Sequence, residues 1–265
     1  MIPPVVDRSW LAEHPEAIVA DARYYLDGRS AADAYAAGHL PGAVRVDMGD
    51  VLADPPSPAR GRHPLPDPER FASGLAALGI GDGATVVAYD DAGGTMAARL
   101  VWLLRLLGEN AALLDGGLAA WDGPLSLETP DRGAARFTPR PWPEAALATI
   151  DEAATGPCVI DGRAGERYRG EVEPIDPRGG HIPGARSFPV GGNLGPDSRF
   201  LSPEELRARF AGIDDAAEVI SYCGSGVTAC HNLIALEYAG LGRGRLYPGS
   251  WSQYSHTHRP AATGD

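Results

Sequence analysis

The sequence contains no lysine, so all 23 of its basic residues are arginine. This absence excludes enzymes that form a Schiff base through lysine, including those that use pyridoxal phosphate, and phosphate-binding loops that require a lysine. Only 3 of the 265 residues are cysteine, and none forms a Cys-x-x-Cys pair, so neither a disulfide framework nor a zinc site is indicated. We expect no metal and no cofactor.

Long apolar stretches are also missing. Charged residues such as Arg99, Arg105 and Asp115 interrupt them well before the roughly 18 residues needed to cross a bilayer. The first residues show no basic region followed by an apolar stretch, and the net charge of −12 disfavours nucleic acid or an anionic membrane surface as the partner. We therefore expect a cytoplasmic protein with reduced thiols.

What the sequence does contain is an internal repeat. Four segments of the first half recur in the second half, in the same order and at a similar offset. The pairs are 19–23 and 159–163, 38–43 and 180–185, 85–90 and 218–223, and 115–117 and 248–250. The repeat predicts two homologous domains, at 1–127 and 144–265, joined by a linker at 128–143 that is rich in proline and arginine.

Short β-like runs alternate with amphipathic stretches in each half. In the second half we predict strands at 158–161, 185–188, 217–222 and 245–247, and helices at 166–169, 203–210 and 227–239. The alternation predicts the α/β class, with a mainly parallel sheet in each domain covered by helices on both faces.

Cys223 directly follows one of these predicted strands and precedes Gly224, Ser225 and Gly226. Ligands of parallel sheets lie beyond the carboxyl ends of the strands. Two glycines around a small polar residue let the backbone curl until several amide N–H groups face one point, and these groups favour a thiolate. The pattern predicts a nucleophile, the alternative being a small buried residue, which is the role we predict for Cys158 and Cys230.

Three known classes of enzyme with a nucleophilic side chain do not match this loop. A cysteine phosphatase needs an arginine six residues after the nucleophile, where Ala229 stands. The G-x-S-x-G elbow of α/β-hydrolases needs a glycine where Tyr222 stands. A papain-type cysteine lies near the mature N-terminus, not near the C-terminus. What remains is a thiolate that accepts an atom or group and passes it on.

Over essentially its whole length, the sequence resembles the two-domain rhodanese-like sulfurtransferases, and within them the 3-mercaptopyruvate branch. Residues 35–46 resemble the N-terminal signature of the family, and residues 223–229 resemble the active-site loop of that branch. The C-terminal signature is met in part, because Pro248 and Gln253 stand where acids are usual.

The resemblance implies a sulfur transfer from 3-mercaptopyruvate, through a Cys223 persulfide, to cyanide, a small thiol or a protein thiol such as thioredoxin. It also implies a catalytically inactive first domain, since Asp90 stands where the second domain has Cys223 and a carboxylate cannot carry the sulfur. Two alternatives remain open, a thiosulfate:cyanide sulfurtransferase and a persulfide carrier that serves a protein partner.

The resemblance also implies the residues of the site. Ser225 would bond the substrate carbonyl or relay a proton, oriented by His39 and Asp33, and two arginines would bind the substrate carboxylate. The predicted substrate-binding residues are Arg167, Arg178, Gly224, Gly226, Val227 and Thr228. The thiosulfate branch has a basic pair directly after its cysteine, so the uncharged residues at 224 and 225 favour mercaptopyruvate as the donor.

Overall fold

The computed structural model describes residues 1–213 and 215–265, which divide into two compact units. The first unit comprises residues 1–54, 66–142 and 195–200, and the second comprises 55–65, 143–194 and 201–265. One of the points at which the chain passes between the units is Trp142 and Pro143, inside the predicted linker. Residues 55–65, however, group with the second unit although they belong to the first half of the chain. Within the described residues, no helix has both the length and the apolar character that crossing a membrane requires.

The first unit contains a parallel sheet of five strands. The strands are β1 (Val5–Val6), β2 (Ile18–Asp21), β3 (Val44–Arg45), β4 (Thr85–Tyr89) and β5 (Asn110–Leu114). Their order is β1-β5-β4-β2-β3, and every neighbouring pair is parallel. The helices of this unit are α1 (Arg8–Glu13), α2 (Ala31–Ala37), α3 (Pro68–Ala77) and α4 (Ala98–Leu106).

The second unit repeats this plan with four strands. The strands are β6 (Cys158–Asp161), β7 (Arg186–Ser187), β8 (Val219–Tyr222) and β9 (Arg245–Leu246), all parallel, in the order β7-β6-β8-β9. The helices are α5 (Ile150–Thr155), α6 (Gly165–Tyr168), α7 (Pro203–Arg209), α8 (Ala229–Tyr238) and α9 (Ser250–Tyr254). The predicted α/β class with parallel sheets is confirmed.

The central elements of the second unit are buried on every side, and most of their residues are apolar. All four residues of β8 are buried, and so are residues 229–236 of α8. The helix begins two residues later than predicted, since Val227 and Thr228 belong to the loop that follows Cys223. The start of α7 is a capping box, with the Ser202 hydroxyl accepting the backbone N–H of Glu205.

A buried ion pair explains the Asp-x-Arg motif that recurs in both halves. Arg23 binds Asp21, with Nη2 2.6 Å from Oδ2, and also donates to the Gly38 carbonyl at 2.9 Å. Arg163 repeats both contacts in the second unit, with Asp161 at 2.6 Å and the equivalent glycine carbonyl at 2.7 Å. Each pair therefore ties the end of a strand to the turn that carries the His-x-Pro-Gly sequence.

In the first unit, the loop after β4 is an anion site that contains its own anion. The buried carboxylate of Asp90 accepts four backbone N–H groups, from Ala92 at 2.8 Å, Gly94 at 2.7 Å, Met96 at 2.7 Å and Ala97 at 2.9 Å. Burial raises the pKa of Asp90, and the four N–H donors oppose that rise. The loop thus directs four amides at one point.

Asp90→Ala should lower the free energy of unfolding by about 2–4 kcal/mol, because it leaves these amides, some of them buried, without an acceptor. The matched control is Asp91→Ala, which removes an exposed carboxylate that bonds the Tyr25 hydroxyl and should lower the same free energy by less than about 1 kcal/mol. Urea unfolding of both variants gives the comparison. Equal stability of Asp90→Ala and the wild type would contradict the anion-site interpretation.

Candidate active site

Cys223 lies at the carboxyl end of β8 and is only 2% exposed. The loop that follows turns back at Gly226, whose φ of +78° is a conformation that favours glycine. A Cβ at Gly226 would lie 2.6 Å from the Pro248 carbonyl oxygen, so the close approach also requires glycine. The Gly226 N–H donates to Cys223 Sγ at 3.1 Å. The loop therefore wraps around the sulfur.

Further amides of this loop are available to a bound anion. By the repeat, Ser225, Val227 and Ala229 take the places of three of the four residues that donate to Asp90. Within residues 1–213 and 215–265, their backbone N–H groups make no hydrogen bond. We call these three N–H groups around Cys223 the cradle. Where the first unit places a carboxylate, the second unit places a thiol and leaves the donors for a further charged atom.

The C-terminal segment holds the cradle in shape. The Ser250 hydroxyl accepts the N–H of Cys223 at 3.2 Å, while the N–H groups of Trp251 and Ser252 donate to the carbonyls of Cys223 at 2.9 Å and Gly224 at 2.8 Å. With these polar atoms engaged, the loop cannot rotate its amides away from the sulfur.

Gln253 stands where the signature usually has a glutamate, and its side-chain amide both donates and accepts a hydrogen bond. Its Nε2 donates to the Ala59 carbonyl at 2.6 Å and its Oε1 accepts the Tyr247 hydroxyl at 2.7 Å. An ionised glutamate could make only the second bond, because a carboxylate has no donor. The glutamine therefore attaches segment 55–65 to the C-terminal segment.

Ser225 forms a hydrogen bond with a histidine that the sequence analysis did not identify. The Ser225 Oγ lies 2.8 Å from Nδ1 of His63, and each residue is 8% exposed. His63 belongs to segment 55–65 of the second unit. A hydroxyl paired with an imidazole can pass a proton in either direction, so the pair can serve an oxygen atom that changes its charge.

Two guanidinium groups approach the residue directly after the nucleophile. A Cβ at Gly224 would lie 3.2 Å from Nη2 of Arg62 and 3.5 Å from Nη1 of Arg167. The residues at 224 and 225 are themselves uncharged, as the sequence analysis noted, and the positive charge comes from elsewhere in the chain. The absence of a side chain at Gly224 leaves room for cations that come from other segments.

Buried carboxylates hold these arginines. Asp176 contacts both, with Arg62 Nη1 at 2.8 Å and Arg167 Nη2 at 3.4 Å, and Glu173 lies 2.7 Å from Arg167 Nη2. Burial opposes the ionisation of Glu173, but Arg167 and two backbone N–H groups outweigh it and lower its pKa. The result is a network of alternating charges beside the cradle.

Arg178, the second predicted carboxylate ligand, is engaged elsewhere. Its Nε donates to the Ser255 carbonyl at 3.1 Å and its Nη2 to the Tyr254 carbonyl at 3.2 Å, while the guanidinium lies over the Trp251 ring. A substrate carboxylate that binds this Nε–Nη2 edge would have to displace both carbonyls. The contacts of Arg178 fix the C-terminal segment.

His39 and Asp33 were predicted to orient Ser225, and the histidine that contacts Ser225 is instead His63. His39 is fully buried in the first unit, where Nδ1 lies 2.9 Å from the Tyr35 carbonyl and the two rings stack. His181 makes the same contacts in the second unit with the tyrosine at 168. Both histidines thus brace the repeated turn. Asp33 is exposed in the first turn of α2.

Sequence reasoning missed several polar residues around the cradle. They are Arg62, His63, Glu173, Asp176 and Ser250. A signal existed in the Gly-Arg-His-Pro run at 61–64, which lies in a proline-rich stretch outside the four repeated segments. Nothing in the sequence pattern, however, assigns this run to the second unit.

The comparisons with known proteins agree with this geometry. The rhodanese-like domain pattern matches residues 7–123 and 143–257. A Pseudomonas aeruginosa protein named "Probable 3-mercaptopyruvate sulfurtransferase" is 45% identical over 95% of this chain and 94% of its own length. Thiosulfate sulfurtransferase of Cricetulus griseus is 32% identical over 97% of this chain and 93% of its own. The solved structure of 3-mercaptopyruvate sulfurtransferase from Leishmania major has a TM-score of 0.85 at 33% identity, covering 97% of this chain and 75% of that one.

The chain contains a parallel α/β unit twice, with a cysteine loop in the second copy. This is the arrangement of tandem rhodanese-like sulfurtransferases. The chain belongs to the family of proteins with rhodanese-like domains. The two relatives named above are sulfurtransferases that differ in the donor, so the donor has to be argued from the site.

Proposed function

We propose that the chain is a sulfurtransferase that takes sulfur from 3-mercaptopyruvate and passes it, through a persulfide on Cys223, to cyanide or a thiol. The observation that carries this proposal is the cradle, whose three donors lie in the loop that follows Cys223 and make no hydrogen bond with the described residues. In the first unit, the equivalent donors bind a negatively charged group.

In the first step, the Cys223 thiolate attacks the sulfur of the donor. A sulfur–sulfur bond forms and the carbon–sulfur bond of mercaptopyruvate breaks, with its electron pair passing to the carbon and giving the enolate of pyruvate. The terminal sulfur of the persulfide, once it loses its proton, is an anion in the cradle. The enolate takes up one proton and leaves as pyruvate, so atoms and charge balance.

Ser225 and His63 interact with the ketone oxygen of the donor. As the carbon–sulfur bond breaks, negative charge develops on that oxygen, and a hydrogen bond from the Ser225 hydroxyl stabilises it. His63 accepts or supplies the proton at Nδ1 that this bond requires. Thiosulfate has no carbonyl, so the pair favours mercaptopyruvate as the donor.

In the second step, the acceptor removes the outer sulfur and restores the thiolate. Cyanide leaves as thiocyanate, and a thiol leaves as a persulfide. We propose small thiols and a protein thiol such as thioredoxin as acceptors. We also place the protein in the cytoplasm, supported by three cysteines that are all free thiols.

Thiosulfate is the second candidate donor. Arg62 and Arg167 approach Gly224, as noted above, and a compact dianion gains from cations beside the cradle. A carrier that serves a protein partner is the third possibility. Steady-state turnover on small donors without any partner separates an enzyme from a carrier.

Cys223→Ser should abolish persulfide formation while leaving the fold intact, because a hydroxyl cannot carry the sulfur. Intact-protein mass spectrometry after donor treatment should show a gain of one sulfur atom in the wild type, removed by cyanide, and none in this variant. The controls are Cys158→Ser and Cys230→Ser, which should keep most activity. Full activity of Cys223→Ser would end the proposal.

Ser225→Ala and His63→Ala should each lower kcat/KM for mercaptopyruvate by about 100-fold, a typical effect for acid–base groups, and change the value for thiosulfate by less than about 3-fold. The double variant should have the same kcat/KM for mercaptopyruvate as the less active single variant, since the two residues act as one unit. His258→Ala, an exposed histidine of the same unit, is the control. Equal losses on both donors, or a wild type that prefers thiosulfate, would contradict the assignment of mercaptopyruvate.

A further inference from the structure

A cavity in the first unit has no part in the proposed sulfur transfer. Its volume is about 370 Å³, which lies in the range of small-molecule sites. Leu11 of α1, Leu40 of the repeated turn and Trp121 line it, together with Ala17 and Val19, which are both buried. Because these side chains are apolar, the cavity favours a ligand with an apolar body.

The internal repeat shows what fills the equivalent place in the second unit. The offset of the last repeated segment, extended along the chain, pairs Leu118 with Trp251 and Trp121 with Tyr254. Trp251 and Tyr254 are 0% and 1% exposed, and the centroids of their stacked rings lie 5.6 Å apart. Two aromatic rings therefore complete the core of the second unit at this place.

The first unit fills the same place less completely. Leu118 and Trp121 are only partly buried against a core cluster that contains Val19 and Leu40. In the second unit, the residues that repeat Val19 and Leu40 share a core cluster with Trp251. Protein interiors are close-packed, so a leucine in the place of a tryptophan leaves room for a ring. The cavity therefore favours an aromatic group.

The ionisable residues that line the cavity are Arg8, His14 and Arg132, all of them basic. Arg8 lies over the Trp121 ring, 4.7 Å from its centroid, and is paired with Asp122. Arg132 is exposed and forms no ion pair within residues 1–213 and 215–265. A guanidinium beside an apolar cavity matches a carboxylate, which it can bind in bidentate fashion.

We propose that the first unit binds a small aromatic carboxylate in this cavity, with its ring against Leu11, Leu40 and Trp121 and its carboxylate on Arg132. The ring of the ligand takes the place that an aromatic side chain fills in the second unit. The site requires neither a sulfur donor nor a persulfide, so it stands or falls separately from the proposed function.

Calorimetric titrations of the wild type with three probes test the ring and the charge separately. The wild type should bind 3-phenylpropionate with a Kd of about 1 mM or below, as expected for a ligand of this size. It should bind 3-phenylpropionamide, which lacks the charge, about 10-fold more weakly. Propionate, which lacks the ring, should bind at least about 10-fold more weakly as well.

Four variants locate the bound probe. Arg132→Ala should weaken the binding of 3-phenylpropionate by about 10-fold, whereas Arg136→Ala, which removes an exposed arginine of the same segment, should change it by less than about 2-fold. Leu11→Trp places an indole in the cavity and should abolish binding. Leu127→Trp, the same change at a side chain that is 70% exposed, should not alter it.

Thermal unfolding checks that each variant is folded, and Arg132→Ala decides the question alone if Leu11→Trp is not. Unchanged affinity in Arg132→Ala would overturn the proposal, and so would unchanged affinity in a folded Leu11→Trp. Equal affinity for the acid and its amide, propionate binding as tightly as 3-phenylpropionate, or no binding of 3-phenylpropionate at about 10 mM would overturn it as well.

Discussion

The convergence of backbone amides after a buried parallel strand is the constraint on which the site depends. Asp90 shows what this curl does, because four N–H groups meet its carboxylate within 2.9 Å. The second unit keeps the curl and replaces the carboxylate with the shorter thiol of Cys223, which one N–H reaches. In our proposal, the unpaired amides bind the sulfur that Cys223 carries during the reaction. One loop geometry would then bind a structural carboxylate in one unit and form the proposed reactive site in the other.

The groups beside the loop come from a distant segment of the chain. Segment 55–65, which belongs to the first half, adds Arg62 and His63 to the second unit, whereas residues 195–200 of the second half group with the first unit. Asp176 fixes Arg62, and Gln253 attaches the segment through the carbonyl of Ala59. The absence of a side chain at Gly224 is as important as these contacts, since it leaves room for the guanidinium groups.

The α/β class and the curled loop after Cys223 were predictable from the sequence because both depend on local patterns. Alternating apolar runs indicate parallel strands, and a cysteine followed by two glycines indicates the curl. The partner of Ser225 was not predictable, because His39 lies in a repeated motif that attracts attention while His63 lies in an irregular proline-rich segment. The sequence likewise does not show which of the 23 arginines already bind acceptors within the protein. The structure shows this for Arg167, which binds Glu173, and for Arg178, which binds the Tyr254 carbonyl.

The central claim is that the amides of Ser225, Val227 and Ala229 exist to hold a sulfur anion on Cys223. A crystal structure of the protein after reaction with 3-mercaptopyruvate tests it most directly. The account predicts additional density for one sulfur atom on Cys223 Sγ, within hydrogen-bond distance of these backbone nitrogens. A persulfide whose outer sulfur points away from all three amides, or a Cys223 without added sulfur, would contradict it.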